Sequence, residues 1–535
     1  MPEFDVVIQG GMIIDGTRLP RYRADVGITN GRVAKIGKLA AHQGKQALDA
    51  NGLMVVPGFI DLHTHYDAQL FWDPYCTISG WHGITSLVIG NCGFGFAPVR
   101  PEERERAMLT MTRVEAIPYA SMKAGMPWDW VTFPEFLNSV ERAPKSVNIL
   151  PYVPIASLMV WVMGLEEAKS GRRPTPAEEA EMCRLLHEGM NAGGCGWSAQ
   201  RLGVNSVQMD YDGTPMVTDI MHNETCLAFA RVLAERNEGF VQLTFVASSG
   251  DMAEAQSHYE ELAATSGRPI LFNVVQASDR WPERHRGLLA WLERCRAKGL
   301  RVYGQGITTD AGFAFTFKDW NLWDDAPAWR EATLGSPEER RVKLADPKRR
   351  PALRQQEPTG VVTNSFEDIF VLSTKRPEFK KYENHTLQEI GEREGKHPAD
   401  AMLDIAVADN LETEFYSPSI NCRLDYLKEV VNSDLTILGV SDGGAHTKFF
   451  TAGRYPTETI TRLVRENQVM GLEEAHWRLS ALPAWCAGFR GRGILQEGAP
   501  ADVVVYDYDA LKVLPMEIAH DLPGGEWRRV QRAAG

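Results

Sequence analysis

Apolar residues recur in short runs, and the spacing between runs changes along the chain. Over residues 1–55 the runs are brief and broken by turn residues. They are 4–9 (FDVVIQ), 12–15 (MIID), 24–28 (ADVGI) and 32–36 (RVAKI), with Gly10-Gly11 and Asn30-Gly31 between them. Asn-Gly between two strand-like runs predicts a tight hairpin, because both residues tolerate positive φ. Gly10-Gly11 reads as another turn. Residues 501–506 (ADVVVY) read as one more strand. Strands at both ends predict a small β-sandwich domain built from residues 1–55 and 490–535.

Between the ends, eight apolar runs read as strands: 54–63, 84–90, 147–153, 194–198, 240–245, 269–275, 301–307 and 435–442. Residues 176–191 and 251–265 carry helical spacing. Strands alternating with helices or long loops predict an α/β chain with a parallel sheet. Over residues 56–489 this implies a (β/α)8 TIM barrel. An open doubly wound sheet is the other candidate, but no glycine-rich phosphate loop stands between a strand and a helix. Residues 318–363 are long, polar and rich in charge and proline. They follow the seventh strand, so they are either a solvated surface insertion or a lid over the pocket.

Composition narrows the classes. With 44% hydrophobic and 24% charged residues, the 535-residue chain is not disordered or a coiled coil as a whole. Its net charge is −13 and no basic stripe stands out, which excludes nucleic acid as the expected partner. No apolar run approaches the length of a membrane span. The start, MPEFDVVIQGG, lacks the basic and apolar regions of a signal peptide, so the expected location is cytoplasmic. Eight scattered cysteines, none in a C-x-x-C pair, read as reduced thiols. A chain this long builds a core without a structural metal, so a metal here would serve chemistry.

The run from Val55 to His65 (VVPGFIDLHTH) ends an apolar strand in His-x-His. Side chains at i and i+2 share a face, so His63 and His65 point together and can share a divalent cation. A second apolar strand ends at Asp442 in GVSDGG. The last strand of a barrel pairs with the first, which brings Asp442 beside the two histidines. A carboxylate there can bind metal and accept a proton from water.

These residues carry a resemblance. The sequence resembles the amidohydrolase superfamily, and within it the D-aminoacylase (N-acyl-D-amino-acid deacylase) branch, over nearly the whole chain. PGFIDLHTHYD is similar to the metal-binding first strand, GNCGFGFAPV to the Asn-Cys-Gly signature, and GVSDGGAH to the catalytic-Asp strand. The C-terminal run GAPADVVV is similar to the family's return into its β domain. The resemblance implies a barrel plus a β-sandwich, with a divalent metal, usually zinc, that activates water. It implies His63, His65, Asp442 and Cys92 as metal ligands, and Asp442 as the catalytic acid/base.

Two positions depart from the branch. The fifth strand usually ends Thr-His; here it reads Leu243-Thr244-Phe245. The sixth usually ends Ser-His; here it reads Leu271-Phe272-Asn273-Val274. One of the family's two metal positions is thereby dismantled, and one divalent ion per chain is expected. The basic residue that follows the strand-five histidine is also missing, which removes a contact for a substrate carboxylate. Cys92 is either a ligand or a buried thiol. His446 could bind metal, hold substrate, act as an acid/base or merely cap its loop. Trp197, Ser198 and Arg201 follow the fourth strand, where the family places substrate contacts, and Arg201 could meet an anionic group. Asn273 and Phe245 would face the pocket in place of the lost histidines. Phe71, Trp72, Trp81, Phe94, Phe96, Trp197, Phe245 and Phe313 make the pocket side apolar. The expected activity is hydrolysis of an amide C–N bond in a bulky N-acyl or aryl amide. Ester or C–C cleavage, decarboxylation, or a binding-only barrel would use the same residues. The expected partner is a small-molecule substrate, and the sandwich edge leaves room for a homo-oligomer.

Overall fold

The computed structural model describes residues 2–244, 252–309, 312–319, 322–356 and 365–535. Phe245 lies outside the described residues.

The chain opens with a ten-residue strand, β1 (Phe4–Ile13). Gly10-Gly11 does not end it, contrary to the predicted turn. The register with β2 (Tyr22–Thr29) shifts between Ile8 and Gly11, so the glycines form a bulge within one strand. A Cβ on Gly11 would fall 2.3 Å from Val55 Cγ2, and Gly10 has φ +72°. Glycine lets β1 bend there and go on pairing with a new neighbour. β2 turns through Asn30 (φ 52°) and Gly31 (φ 69°) into β3 (Arg32–Gly37), the two-residue turn that Asn-Gly predicts. β4 (Gly44–Asp49) and β5 (Met54–Pro57) run parallel to β1, and Val503–Tyr506 pairs antiparallel with β5. Ile8, Ile13, Val26, Val33, Val55 and Leu495 form the core of this sheet.

The predicted strand 54–63 divides at Gly58. Gly58 N–H donates to Asp502 O (2.8 Å), and a Cβ there would sit 2.0 Å from Thr85 Oγ1. Beyond it, β6 (Phe59–Asp61) begins a parallel system. β6 pairs with β7 (Ile84–Ile89), and β7 with β8 (Asn148–Pro151). One residue later β9 (Val153–Pro154) joins β10 (Gly196–Gln200). β11 (Phe240–Thr244), β12 (Ile270–Val275) and β13 (Val302–Gly306) follow, all parallel. The predicted helices are Pro176–Ala192 and Met252–Ser266. The first has a reciprocal cap: Glu178 N–H donates to Thr175 Oγ1 (3.3 Å) and Thr175 N–H to the Glu178 carboxylate (2.7 Å). Such a cap contributes about 1 kcal/mol.

After β13 the chain builds an antiparallel sheet of β14 (Phe313–Phe315), β15 (Phe370–Ser373) and β16 (Glu414–Ser417). This insertion extends well past residues 318–363. Its buried Trp323 and Trp329, with ring centroids 4.7 Å apart, need Phe366 and Phe415 to complete a core of their own. The Arg113 guanidinium ties it down by pairing with Asp324 and donating to Thr333 O (2.8 Å). β17 (Thr436–Leu438) then pairs with β13. A parallel bridge links Thr64 to Gly443, and His65 N–H donates to Gly443 O (2.7 Å). The end of the last parallel strand therefore lies beside the end of the first.

The chain's final hairpin, Glu517–Leu522 with Glu526–Val530, is not in the N-terminal sheet. Arg528 pairs with Asp73 (2.9 Å) and Arg529 Nε donates to Lys448 O (2.7 Å). The hairpin lies against the loops after β6 and β17, which corrects its grouping with residues 1–55. No helix among the described residues is long and apolar enough to cross a membrane.

Candidate metal centre

The candidate residues meet where the C-terminal ends of the parallel strands converge. His63 and His65 follow β6, and their ring centroids are 5.5 Å apart. Both are buried. His63 N–H donates to Asp61 Oδ1 (3.0 Å), which fixes the bend at Leu62 where the chain leaves β6. The His63 ring is oriented from across the sheet. Gln305, fully buried on β13, donates through Nε2 to Leu62 O (3.1 Å) and so presents Oε1 to His63 Nδ1 at 3.0 Å. Only the tautomer with hydrogen on Nδ1 can donate there, which leaves the Nε2 lone pair facing the centre.

Cys92 follows β7 in a loop of unusual backbone. Gly90, Cys92 and Gly93 have φ of 76°, 60° and 77°. Side chains at both glycines would collide with backbone: a Cβ on Gly90 would be 2.9 Å from Tyr152 O, and one on Gly93 2.9 Å from Ala199 Cα. Asn91 Nδ2 donates to Thr64 O (3.0 Å), and Cys92 N–H to Gln242 Oε1 (2.6 Å). Gln242 Nε2 in turn donates to Asn273 Oδ1 (2.8 Å). Ser198 Oγ accepts from Gly93 N–H (3.0 Å) and donates to Gly90 O. The loop is thus gripped by three strands, and Cys92 Sγ stands 3.6 Å from His63 Nε2.

Asp442 and His446 arrive on the loop after β17. Asp442 Oδ1 is 3.3 Å from His63 Nε2 and 3.8 Å from His65 Nε2. The loop can approach because Gly443 and Gly444 have no side chains; a Cβ on either would fall 2.5 Å from Tyr66 or His65. Asp442 retains 27% side-chain exposure, through a crevice shared with Tyr66, Phe450 and Arg529. His446 Nε2 is 3.3 Å from Glu115 Oε2, and Glu115 Oε1 is 3.6 Å from His65 Nε2.

Burial governs the protonation of these groups. It pushes the Asp442 carboxyl above the usual carboxylate range and Glu115 up to about 8. It drives Asp61 and Asp67 up to about 7. Burial, then the nearby His63 and His446, holds His65 well below the usual histidine value. His446 is lowered to about 4. Burial and then the Glu115 carboxylate keep the Cys92 thiol well above its usual range.

The donor set fits a divalent cation. Among the described residues, His63, His65 and Cys92 bring ligand atoms within 4.8 Å of one another, all buried. Ligands bound at about 2.0–2.3 Å in a tetrahedron stand about 3.3–3.8 Å apart. The contacts from His63 to Cys92 and Asp442, and from His65 to Asp442, fall in that range.

Other expected residues lie elsewhere or act differently. Trp197 is fully buried and packs on Phe229 at 5.8 Å, against the helix layer. It cannot line the pocket, because Ser198 beside it faces inward and neighbours on a strand face opposite ways. Arg201 is also corrected. Its guanidinium donates to Thr218 O (2.9 Å), Met221 O and Asn223 Oδ1 (2.7 Å), so it holds a loop together. Ser198 and Asn273 are in place but support the Cys92 loop. Phe94 lies 6.3 Å from His65. It helps line an apolar cavity of about 60 Å³ with Val99, Met111, Val160 and Val217. Phe71 instead stacks on Trp130, and Phe96 packs edge-on to Trp128. Sequence reasoning missed Glu115, Gln242 and Gln305. Glu115 had a usable signal, since it stands four and seven residues after the buried Met111 and Met108 on one helix face.

Residues 46–530 match the profile of the Amidohydrolase family. The chain belongs to this family. It is 28% identical over 520 residues to an N-acyl-D-glutamate deacylase of Alcaligenes xylosoxydans xylosoxydans, covering 95% of this chain and 88% of that protein. It is 25% identical to a D-aminoacylase of the same organism, over 94% of this chain and 88% of the other. The fold is similar to the crystal structure of N-acyl-D-glutamate deacylase from Bordetella bronchiseptica complexed with zinc and a phosphonate inhibitor. That match has a TM-score of 0.65 and 24% identity, and covers 95% of this chain and 91% of that one.

Proposed function

We propose that this amidohydrolase-family chain hydrolyses the amide bond of a bulky N-acyl or aryl amide, with Asp442 as the general acid/base. In this reading the parallel strands close into a TIM barrel beside a small β-sandwich, and the protein is cytoplasmic. The observation that carries it is the convergence of His63, His65 and Cys92, whose ligand atoms lie within 4.8 Å of one another, with Asp442 Oδ1 3.3 Å from His63 Nε2 and 3.8 Å from His65 Nε2.

His63, His65, Cys92 and Asp442 would hold one divalent ion, most simply zinc. When bound, such an ion polarises the scissile carbonyl and lowers the pKa of water to about 7. The protein's own residues do the rest. Asp442, exposed to the crevice, accepts the proton of the attacking water. It returns that proton to the leaving nitrogen as the C–N bond breaks. Gln305 keeps the His63 lone pair inward, and Gln242 and Ser198 keep the Cys92 loop in register. Phe94, 6.3 Å from His65, gives the centre an apolar neighbour, which supports an apolar acyl group. Arg201, engaged with its own loop, gives no support to a substrate carboxylate.

Asp442→Asn tests the reading. Removing a general acid/base should lower kcat by about 10²–10⁴-fold on bulky N-acyl amides. Activity within twofold of wild type would refute the role. Equal turnover of small polar N-acyl amino acids and bulky amides would refute the substrate class.

A further inference from the structure

Asp442 and His446 both sit in left-handed backbone, with φ of 46° and 52°. Neither is a glycine, so the conformation is strained and lasts only where the surroundings impose it. One side of their loop is held by His65 N–H, which donates to Gly443 O (2.7 Å), and by His446 N–H, which donates to Glu115 O (2.7 Å). The other side is held by the chain's final hairpin. Arg529 N–H donates to Thr447 O (2.7 Å), and Arg529 Nε–H donates to Lys448 O (2.7 Å). One residue thus captures the two carbonyls that directly follow His446.

The guanidinium is itself fixed. It pairs with Glu414 on β16, and both side chains are nearly buried. Its Nη1 donates to Met516 Sδ (3.5 Å), beside the first strand of the hairpin. A planar guanidinium serves a carbonyl through Nε and a carboxylate through Nη2 in one rigid geometry, which a lysine cannot do. Neighbouring contacts run the same way. Lys448 pairs with Glu526 (2.8 Å), and Thr451 Oγ1 donates to Gln531 Oε1. Arg529 and Asp442 line the same crevice. Arg528 faces the opposite way, as strand neighbours do, and pairs with Asp73 (2.9 Å) and Asp521 (2.8 Å). Those contacts dock the hairpin on the loop after β6.

We infer that Arg529 is a positioning residue for Asp442. The C-terminal hairpin is then a working part of the site. The line runs from Glu414 through the Arg529 guanidinium to the Thr447 and Lys448 carbonyls, and so to the strained turn that aims Asp442. Without Arg529 the turn relaxes, and the Asp442 carboxylate leaves its line with the attacking water. The inference rests on the role given to Asp442 above.

The test compares zinc-loaded wild type, Arg529→Ala and Arg528→Met, the last a buried arginine of the same hairpin. Loop order is read by hydrogen exchange at Ala445 and Phe449, whose N–H groups donate to Asp442 O (2.8 Å) and His446 O (2.7 Å). In Arg529→Ala these amides should exchange about tenfold faster. Its kcat per bound zinc on bulky N-acyl amides should fall about 10–100-fold, with KM within about threefold of wild type. Added guanidinium chloride at millimolar concentration should restore part of that kcat. Arg528→Met should melt lower yet keep the exchange rates and kcat of wild type. Exchange in Arg529→Ala no faster than in Arg528→Met would overturn the inference, as would a kcat within twofold of wild type. If wild type hydrolyses no amide, the hydrolase reading fails, and the exchange rates alone decide whether Arg529 orders the loop. If Arg529→Ala does not fold, Glu414→Gln takes its place. It frees the guanidinium from its carboxylate, so exchange should rise and kcat fall in the same sense; no change in either would overturn the inference.

Discussion

Replacing Gln305 with leucine should weaken metal binding although Gln305 touches no metal. The variant removes two hydrogen bonds, His63 Nδ1–H to Oε1 (3.0 Å) and Nε2–H to Leu62 O (3.1 Å). Without an acceptor, His63 is free to carry its proton on Nε2 or to rotate, and either withdraws the inward lone pair. Losing such an orienting partner typically costs about 10–100-fold in metal affinity. At about 1.4 kcal/mol per tenfold, that is roughly 1.4–2.8 kcal/mol. Each abandoned buried group also costs about 1–3 kcal/mol of fold stability. Gln305→Glu separates the two effects. It keeps an acceptor for His63 and abandons only Leu62 O, so affinity should stay near wild type while stability falls. The assay is competition for zinc with a fluorescent chelator, alongside thermal melting. A dissociation constant for Gln305→Leu within twofold of wild type would refute the claim that Gln305 sets the His63 tautomer.

Two further outcomes follow from the same contacts. Arg201→Met should destabilise the fold by about 1–3 kcal/mol, because carbonyls of the 202–222 loop lose their donors, and should leave KM unchanged; a tenfold rise in KM at unchanged stability would restore Arg201 to the substrate site. Burial holds His476 down at about 3 and His82 at about 4, whereas the unfolded chain binds their protons near pH 6.5. The unfolded state therefore binds more protons below pH 6.5, and stability falls with pH towards 4 by about 1.4 kcal/mol per pH unit for each residue. The buried carboxyls Asp61, Asp67 and Glu115, raised to about 7–8, act in the opposite sense over this range, so the readout is the difference between proteins: urea midpoints from pH 7.5 to 4.5 should fall less steeply in His476→Gln than in wild type, and an identical pH dependence in the two would contradict it.

Much of this site was legible from strand logic. His63 and His65 are two residues apart at a strand end, and that spacing alone turns both rings one way. Asp442 follows an apolar strand into Gly-Gly, and those glycines are what let its loop meet Tyr66 and the His65 backbone. The same logic, applied fully, would have removed Trp197. Trp197 and Ser198 are neighbours on β10, and only one of them can face inward. Other residues were hidden for definite reasons. The Arg201 side chain is chemically suited to an anion, but nothing in its neighbourhood tells that the carbonyls of Thr218 and Met221 will claim it. Gln305 is an uncharged residue whose value lies in a contact with a histidine more than two hundred positions away. Gly10-Gly11 reads as a turn in isolation, and becomes a bulge because Val55 packs where a side chain would have been.

The central claim is that a bound divalent ion and Asp442 together cleave an amide. The most direct measurement is metal content and hydrolysis of bulky N-acyl amides on one preparation, before chelation, after chelation and after zinc is returned. The account predicts bound metal, loss of both metal and hydrolysis on chelation, and recovery of both with zinc. Hydrolysis that persists in the metal-free protein would contradict it, as would a chain that takes up no metal at all.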